Sequence, residues 1–313
     1  MSNMNDVVGL RVPYGRANTQ YQTEFEPATQ TVWSHFNPKG TACFNLGLLK
    51  DMRAHDEWLA TNRGSIEIEG VTHDVHYYVT GSRVPGVFNL GGDLALFVLL
   101  IKARDREALA HYARLCIDII YPRSQNFFSP TLTKIALVQG DALGGGLECA
   151  LASDLIVAEE GAQLGFPEIL FNLFPGMGAY SLLSRRIGMR AAEELILSGR
   201  VLSASELHEM GVVNVLAKPG KGEIAVREWI AGNAKRRNGM QAAFRARRHV
   251  HPVTRAELDS ITDVWVDAAF RLGDRDLKMM SRIVRAQMRR MEQGGITDVG
   301  AEALAEERAA MAV

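Results

Sequence analysis

The chain has 313 residues, 47% of them hydrophobic and 23% charged, with 35 basic against 36 acidic side chains for a formal net charge of −1. That balance suits a globular protein with a large core, either one domain or a core with an appended part, and it provides no global field to favour nucleic acid or a membrane surface. Apolar runs such as Leu94–Ile101 are too short to span a bilayer, and no basic segment followed by an apolar one opens the chain, so membrane insertion is not expected and a cytoplasmic location is.

Residues 1–25 are polar and read as a flexible, loosely held arm. A strand is expected over Thr29–Phe36, then a turn at Asn37-Pro38-Lys39-Gly40. Leu46, Leu49, Met52 and Leu59 recur near helical spacing and predict a helix from about Asn45 to Leu59. Strands follow at Ser65–Glu69 and Asp74–Thr80, with Gly70 turning between them. A short strand, Gly86–Leu90, ends in Gly91-Gly92-Asp93, and Asp93 can cap a helix starting at Leu94. Helical character continues to about Tyr121. Strand Leu132–Val138 leads into Leu143-Gly144-Gly145-Gly146, from which a helix, Leu147–Ala152, departs. Short strands are expected at Asp154–Ala158 and Ala162–Gly165, then helices at Gly178–Ile187 and Ala191–Leu197. Ser203 and Glu206 form a capping box for the next helix, ahead of a strand at Val212–Leu216. Repeated strand–helix alternation argues for an α/β fold, and residues 222–313 read as helical throughout.

Glycines between a strand and a helix let a backbone N–H approach a ligand, and the first helical turn has unpaired N–H groups at its positive end. Gly145 is therefore a candidate donor to a negative oxygen. Gly92 sits in a second such turn, and two N–H groups converging on one oxygen make an oxyanion hole. Glu148 lies on the first turn of the helix after the glycines, in apolar surroundings that make an unpaired carboxylate expensive. Glu168 follows Pro167, near the Pro175-Gly176-Met177-Gly178 turn. Either glutamate alone reads better as a helix-start residue. Two of them beside glycine turns point to proton transfer next to a polarised carbonyl, with split titrations leaving one charged and one protonated. Met177 and Trp265 read equally as core and as walls of an acyl pocket.

The eight histidines form no convincing metal set, and the three cysteines are far apart, which suits free thiols in a reducing compartment. No metal or cofactor is expected. Lys235, Arg236, Arg237, Arg245, Arg247 and Arg248 form a basic cluster. It reads first as a solvated helix face and second as a dock for phosphate or a small acidic carrier protein.

The stretches Ile135–Glu148, Leu164–Glu168, Phe174–Gly178 and Ala204–Val213 resemble, in order, the crotonase (enoyl-CoA hydratase/isomerase) superfamily, over roughly residues 28–290. The resemblance implies a spiral of ββα units over residues 26–221 with a C-terminal helical extension. It implies that Glu148 and Glu168 handle water and the α-proton, and that Gly92 and Gly145 supply the oxyanion hole. Val87–Asp93, Gln139-Gly140-Asp141 and Trp265 in the helical tail look closest to the bacterial diffusible-signal-factor synthases. That finer resemblance implies dehydration of a 3-hydroxyacyl thioester on acyl carrier protein, then hydrolysis to a free cis-2-unsaturated fatty acid. It further implies possible binding to a sensor histidine kinase, and assembly as homotrimers or pairs of trimers. The competing expectations are an ordinary enoyl-CoA hydratase or isomerase, and a binding protein on the same fold.

Overall fold

A computed structural model of the chain describes residues 10–17 and 19–293. The start of the expected arm and the helical tail beyond residue 293 lie outside the described residues. Strands β1 (Val12–Pro13), β2 (Tyr21–Glu26) and β3 (Thr31–Phe36) come first, followed by helix α1 (Leu46–Thr61). Asn45 starts α1 because its side chain accepts the Leu48 N–H at 2.9 Å. The hairpin β4 (Ser65–Ile68) and β5 (Val71–Asp74) stands apart from the two larger sheets. Then come β6 (Tyr77–Ser82), β7 (Val87–Asn89), α2 (Leu94–Lys102) and α3 (Arg106–Ser124). The next unit is β8 (Thr133–Val138), β9 (Asp141–Leu143) and α4 (Gly145–Leu151). It is followed by β10 (Leu155–Glu159), β11 (Gln163–Gly165), α5 (Ala179–Ile187) and α6 (Met189–Ser198). After β12 (Val201–Ser203), α7 (Ala204–Glu209) and β13 (Val215–Ala217), only helices remain: α8 (Gly222–Asn233), α9 (Arg237–Val250), α10 (Arg255–Ala269) and α11 (Asp274–Gln293).

Three successive units thus read strand, strand, helix. The first strand of each, β6, β8 or β10, joins a seven-stranded sheet of order β1-β2-β3-β6-β8-β10-β13. The second, β7, β9 or β11, joins a four-stranded sheet of order β12-β11-β9-β7. Parallel pairing runs through β3-β6-β8-β10-β13 and through β7-β9-β11. This is the two-layered spiral of ββα units with a helical extension. The larger core cluster fills the space between the sheets and the helices, including Ala136, Val138, Ile156 and Leu164. A second cluster, with Trp33, Val79, Leu137 and Val157, lies on the other face of the seven-stranded sheet under α8.

Two expectations need correction. Residues 12–25 are not a loose arm, because β1 and β2 extend the large sheet as antiparallel edge strands. Tyr21, Thr23 and Phe25 point inward, and the polar residues between them hide that alternation in the sequence. The helical segments expected from Leu94 to about Tyr121 are α2 and α3, parted where Arg104 turns left-handed (φ 57°) and Asp105 caps a new start by accepting the Ala108 N–H at 3.0 Å. The strand expected at Val212–Leu216 begins only at Val215, because the N–H groups of Val212 and Val213 both close on Leu207 O after α7. Among the described residues no helix is long and apolar enough to cross a membrane.

Candidate active site

The site is built where β9 ends and α4 begins. Gly144 takes φ 51° and ψ −122°, a conformation that a residue with a Cβ does not hold without strain. It turns the chain sharply enough for α4 to start at Gly145, which places Glu148 on the first turn with its side chain buried. Glu148 Oε1 accepts two N–H groups from the start of α5, those of Met177 at 2.7 Å and Ala179 at 2.8 Å. Burial pushes this carboxyl up to about 8, against the pull of those two bonds. Both bonds fall on Oε1, which leaves Oε2 as the oxygen open to a proton.

Glu168 is held by a 3₁₀ turn, Pro167–Phe171. The residue as a whole is part-buried, but its carboxyl end is inside, and Oε2 is covered without a hydrogen-bond partner among the described residues. Burial, reinforced by the nearby Glu148 charge, drives its pKa well above the carboxylate range. The carboxyl lies against the Cα of Gly144, where a side chain would collide with Oε1.

The second glycine turn meets the first. A Cβ on Gly91 (φ +90°) would lie 2.7 Å from Leu143 O and 3.0 Å from Gly145 N, so glycine there is what allows the two backbones to touch. Phe44 forms an isolated parallel bridge with Gly92, and the Phe44 N–H donates to Gly91 O at 2.8 Å. In this pairing the N–H of Gly92 itself points away from the Phe44 strand. Gly145, as the first residue of α4, has an N–H with no intrahelical acceptor. Two groups hold the Gly92 turn. Asn89 Oδ1 accepts the Gly91 N–H at 2.8 Å. The Tyr112 hydroxyl accepts the Asp93 N–H at 3.1 Å and donates to Phe44 O at 2.6 Å, standing where a direct ladder bond would otherwise form. Tyr112→Phe removes both bonds. The expected result is a folded protein, less stable by about 1–3 kcal/mol, whose kcat falls about ten-fold. Melting curves and steady-state kinetics check it.

Gly92, Gly145, Glu148, Glu168, Met177 and Trp265 all line one narrow cavity of about 80 Å³. The Trp265 indole packs on Gly176, where a Cβ would run into it, and stacks edgewise on Phe97 with centroids 5.2 Å apart at 69°. Ile283 and Gln287, both on α11, complete the cavity wall. The sequence reading missed Tyr112, Asn89, Phe97 and Gln287, since no local pattern distinguishes them from ordinary helix or strand residues.

The basic cluster lies elsewhere. Phe244 of α9 packs into the cluster on the outer face of the large sheet. Arg248 reaches Asp154 Oδ1 at 2.8 Å, just before β10, while the glycine turn follows the far end of β9. Arg247 and Arg248 line a different cavity from the one that holds the two glutamates.

The family model for enoyl-CoA hydratase/isomerase matches residues 78–252. Human mitochondrial methylglutaconyl-CoA hydratase is 36% identical over 155 residues, 49% of this chain and 43% of that protein. A human mitochondrial protein, enoyl-CoA hydratase domain-containing protein 2, is 40% identical over 145 residues, 46% of this chain and 47% of that one. The glyoxysomal fatty acid beta-oxidation multifunctional protein MFP-a of Brassica napus is 33% identical over 159 residues, 51% of this chain but 21% of that protein. The match thus spans less than half the length of each of these relatives. Among solved structures, human mitochondrial delta3-delta2-enoyl-CoA isomerase superposes with a TM-score of 0.69 at 18% identity, covering 88% of this chain and all of that one. Pseudomonas aeruginosa DspI superposes with a TM-score of 0.59 at 24% identity, covering 80% and 95%. At such identities the likeness is one of fold.

Proposed function

The chain belongs to the enoyl-CoA hydratase/isomerase family, and on that footing we propose that it adds or removes water across C2–C3 of an acyl thioester. The observation that carries this reading is a pair of buried carboxyls at one cavity beside two glycine turns, Glu148 raised by burial to about 8 and Glu168 raised by burial and by the Glu148 charge. In the hydration direction the thioester oxygen lies between the N–H groups of Gly92 and Gly145. Glu148 Oε2 takes a proton from water as the water oxygen bonds to C3. The C2=C3 pair moves toward the carbonyl, and the resulting enolate oxygen is held by the two donors. Glu168, which burial and the Glu148 charge hold towards its protonated form, gives its proton to C2. Elimination runs the same steps in reverse, with the two roles exchanged.

The pH dependence follows from that assignment. Hydration needs Glu148 ionised and Glu168 protonated, so kcat/KM rises about ten-fold per pH unit on the acid side and levels as pH passes about 8. It falls again once Glu168 ionises. A profile that is flat from pH 6 to 9 would exclude Glu148 as the base.

A second reading adds thioester hydrolysis. Its supports are the likeness of Val87–Asp93, Gln139–Asp141 and Trp265 to the signal synthases, and the apolar cavity that α11 of the same chain closes over. In this reading a glutamate-activated water attacks the thioester carbon, the oxyanion occupies the same hole, and the acyl group arrives on acyl carrier protein. The family model and the curated relatives support the hydratase/isomerase reading and do not reach this one. A medium-chain 3-hydroxyacyl group, presented on coenzyme A and on carrier protein, separates them by mass spectrometry against cis and trans standards. Enoyl thioester alone supports the first reading, and free cis-2-enoic acid supports the second. No turnover of either thioester would overturn both.

A further inference from the structure

At the end of α4 opposite the catalytic glycine turn, a second cavity of about 510 Å³ is lined by Leu151, Ala152, Arg185, Arg186, Arg247 and Arg248. Its charges do not balance. Arg185 is neutralised by a two-pronged pair with Glu257, at 2.8 Å on each oxygen, and gives its other donors to the carbonyls of Ser181, His251 and Pro252. The other three guanidiniums feel one carboxylate, Asp154. Arg248 bonds it at 2.8 Å, and Arg247 approaches to 3.7 Å. Among the described residues Arg186 bonds no carboxylate and donates to Ser153 O, Val212 O and Asn214 Oδ1. Asp154 cannot swing to serve them all, because Oδ2 also accepts Asn126 Nδ2 at 2.5 Å and the Lys134 N–H at 3.0 Å. Two positive charges are left over. Burial and the facing Arg247 pull the Arg186 pKa down to about 10, as repulsion in a part-dry cavity should. The negative end of α4 does not supply the missing charge in a usable form. Ala152 O is taken by Lys134 Nζ at 2.9 Å, and Ser153 O by Arg186 at 2.8 Å.

We propose that this cavity is a binding site for a phosphomonoester dianion. Such a group carries about −1.5 to −2 charges at neutral pH, which matches the excess. Its three acceptor oxygens suit guanidinium forks better than a single carboxylate does. The site is separate from the acyl cavity, so the proposal does not depend on which thioester reaction the protein runs.

The test is calorimetric titration and thermal melting with inorganic phosphate, and in parallel with glycerol 3-phosphate, at an ionic strength held constant with chloride. Saturable binding and a rising Tm are expected. Arg247, whose side chain is 54% exposed, is the safer position to change. Arg247→Gln should weaken binding about ten-fold or more, while Glu168→Gln should leave it unchanged. Glycerol 3-phosphate binding at least as tightly as inorganic phosphate is expected of a monoester site, and binding of inorganic phosphate alone would overturn the proposal. A response no larger than that to chloride, an undiminished response in Arg247→Gln, or loss of binding in Glu168→Gln would overturn the proposal.

Discussion

Replacing Glu148 with glutamine lowers turnover of an enoyl thioester by about two to four orders of magnitude while the protein stays folded. The amide oxygen of glutamine still accepts the Met177 and Ala179 N–H groups, so the α4–α5 junction keeps its bonds. What disappears is the proton acceptor. The same substitution has a signature in stability. Glu148 ionises near 8 in the folded chain, far above its ordinary value of 4.5. Between those values the folded state holds the proton that the unfolded chain has released, so wild-type stability falls as pH rises. Glutamine does not titrate. The variant should therefore melt higher than wild type at pH 8–9, with the gap closing towards pH 4–5. Glu168→Gln behaves likewise, and the double variant loses little more activity than either single one, because the two carboxyls act as a unit. Rates and melting curves across pH check all three. Full activity in a folded Glu148→Gln protein would remove the basis of the acid–base reading.

Gly144→Ala is expected to cost about a hundred-fold in kcat with both glutamates still in the chain. A methyl group there strikes Glu168 Oε1, and the φ 51°, ψ −122° backbone resists any side chain. The strain alone costs about 1–3 kcal/mol. The collision either displaces the carboxyl or reopens the turn that starts α4, which also moves the Gly145 N–H. Gly188→Ala serves as a control for strain, since Gly188 also has positive φ (+85°) but no atom within 4 Å of its added Cβ. If the two variants lose activity equally, backbone strain and not the placement of Glu168 is the cause.

Several features of the site were legible in the sequence because they are local. A glycine run between a strand and a helix, a glutamate on the next turn, and a Pro-Glu pair near another glycine turn all lie within short windows. The chemistry they need is set by backbone conformation and helix-start N–H groups that neighbouring residues determine. Among the strands missed were β9 and β12, three residues each, whose pairing partners are far along the chain. The arm was misjudged for a different reason, since β2 pairs with β3 in a local hairpin but polar residues mask its inward alternation.

By itself, then, the sequence determined the α/β alternation, the glycine turns and the two glutamates. Tertiary structure decided what those parts become. Tyr112 reaches the Gly92 turn from α3, the start of α5 fixes Glu148, and burial raises both carboxyl pKa values. The cavity wall comes from Trp265, Ile283 and Gln287, all beyond the segment that the family model matches. Two members of the basic cluster, Arg247 and Arg248, were carried to a cavity other than the one that holds the glutamates. The physical reason is that desolvation, ring packing and shared hydrogen bonds depend on which distant segments are brought together, and no short window of residues contains that information.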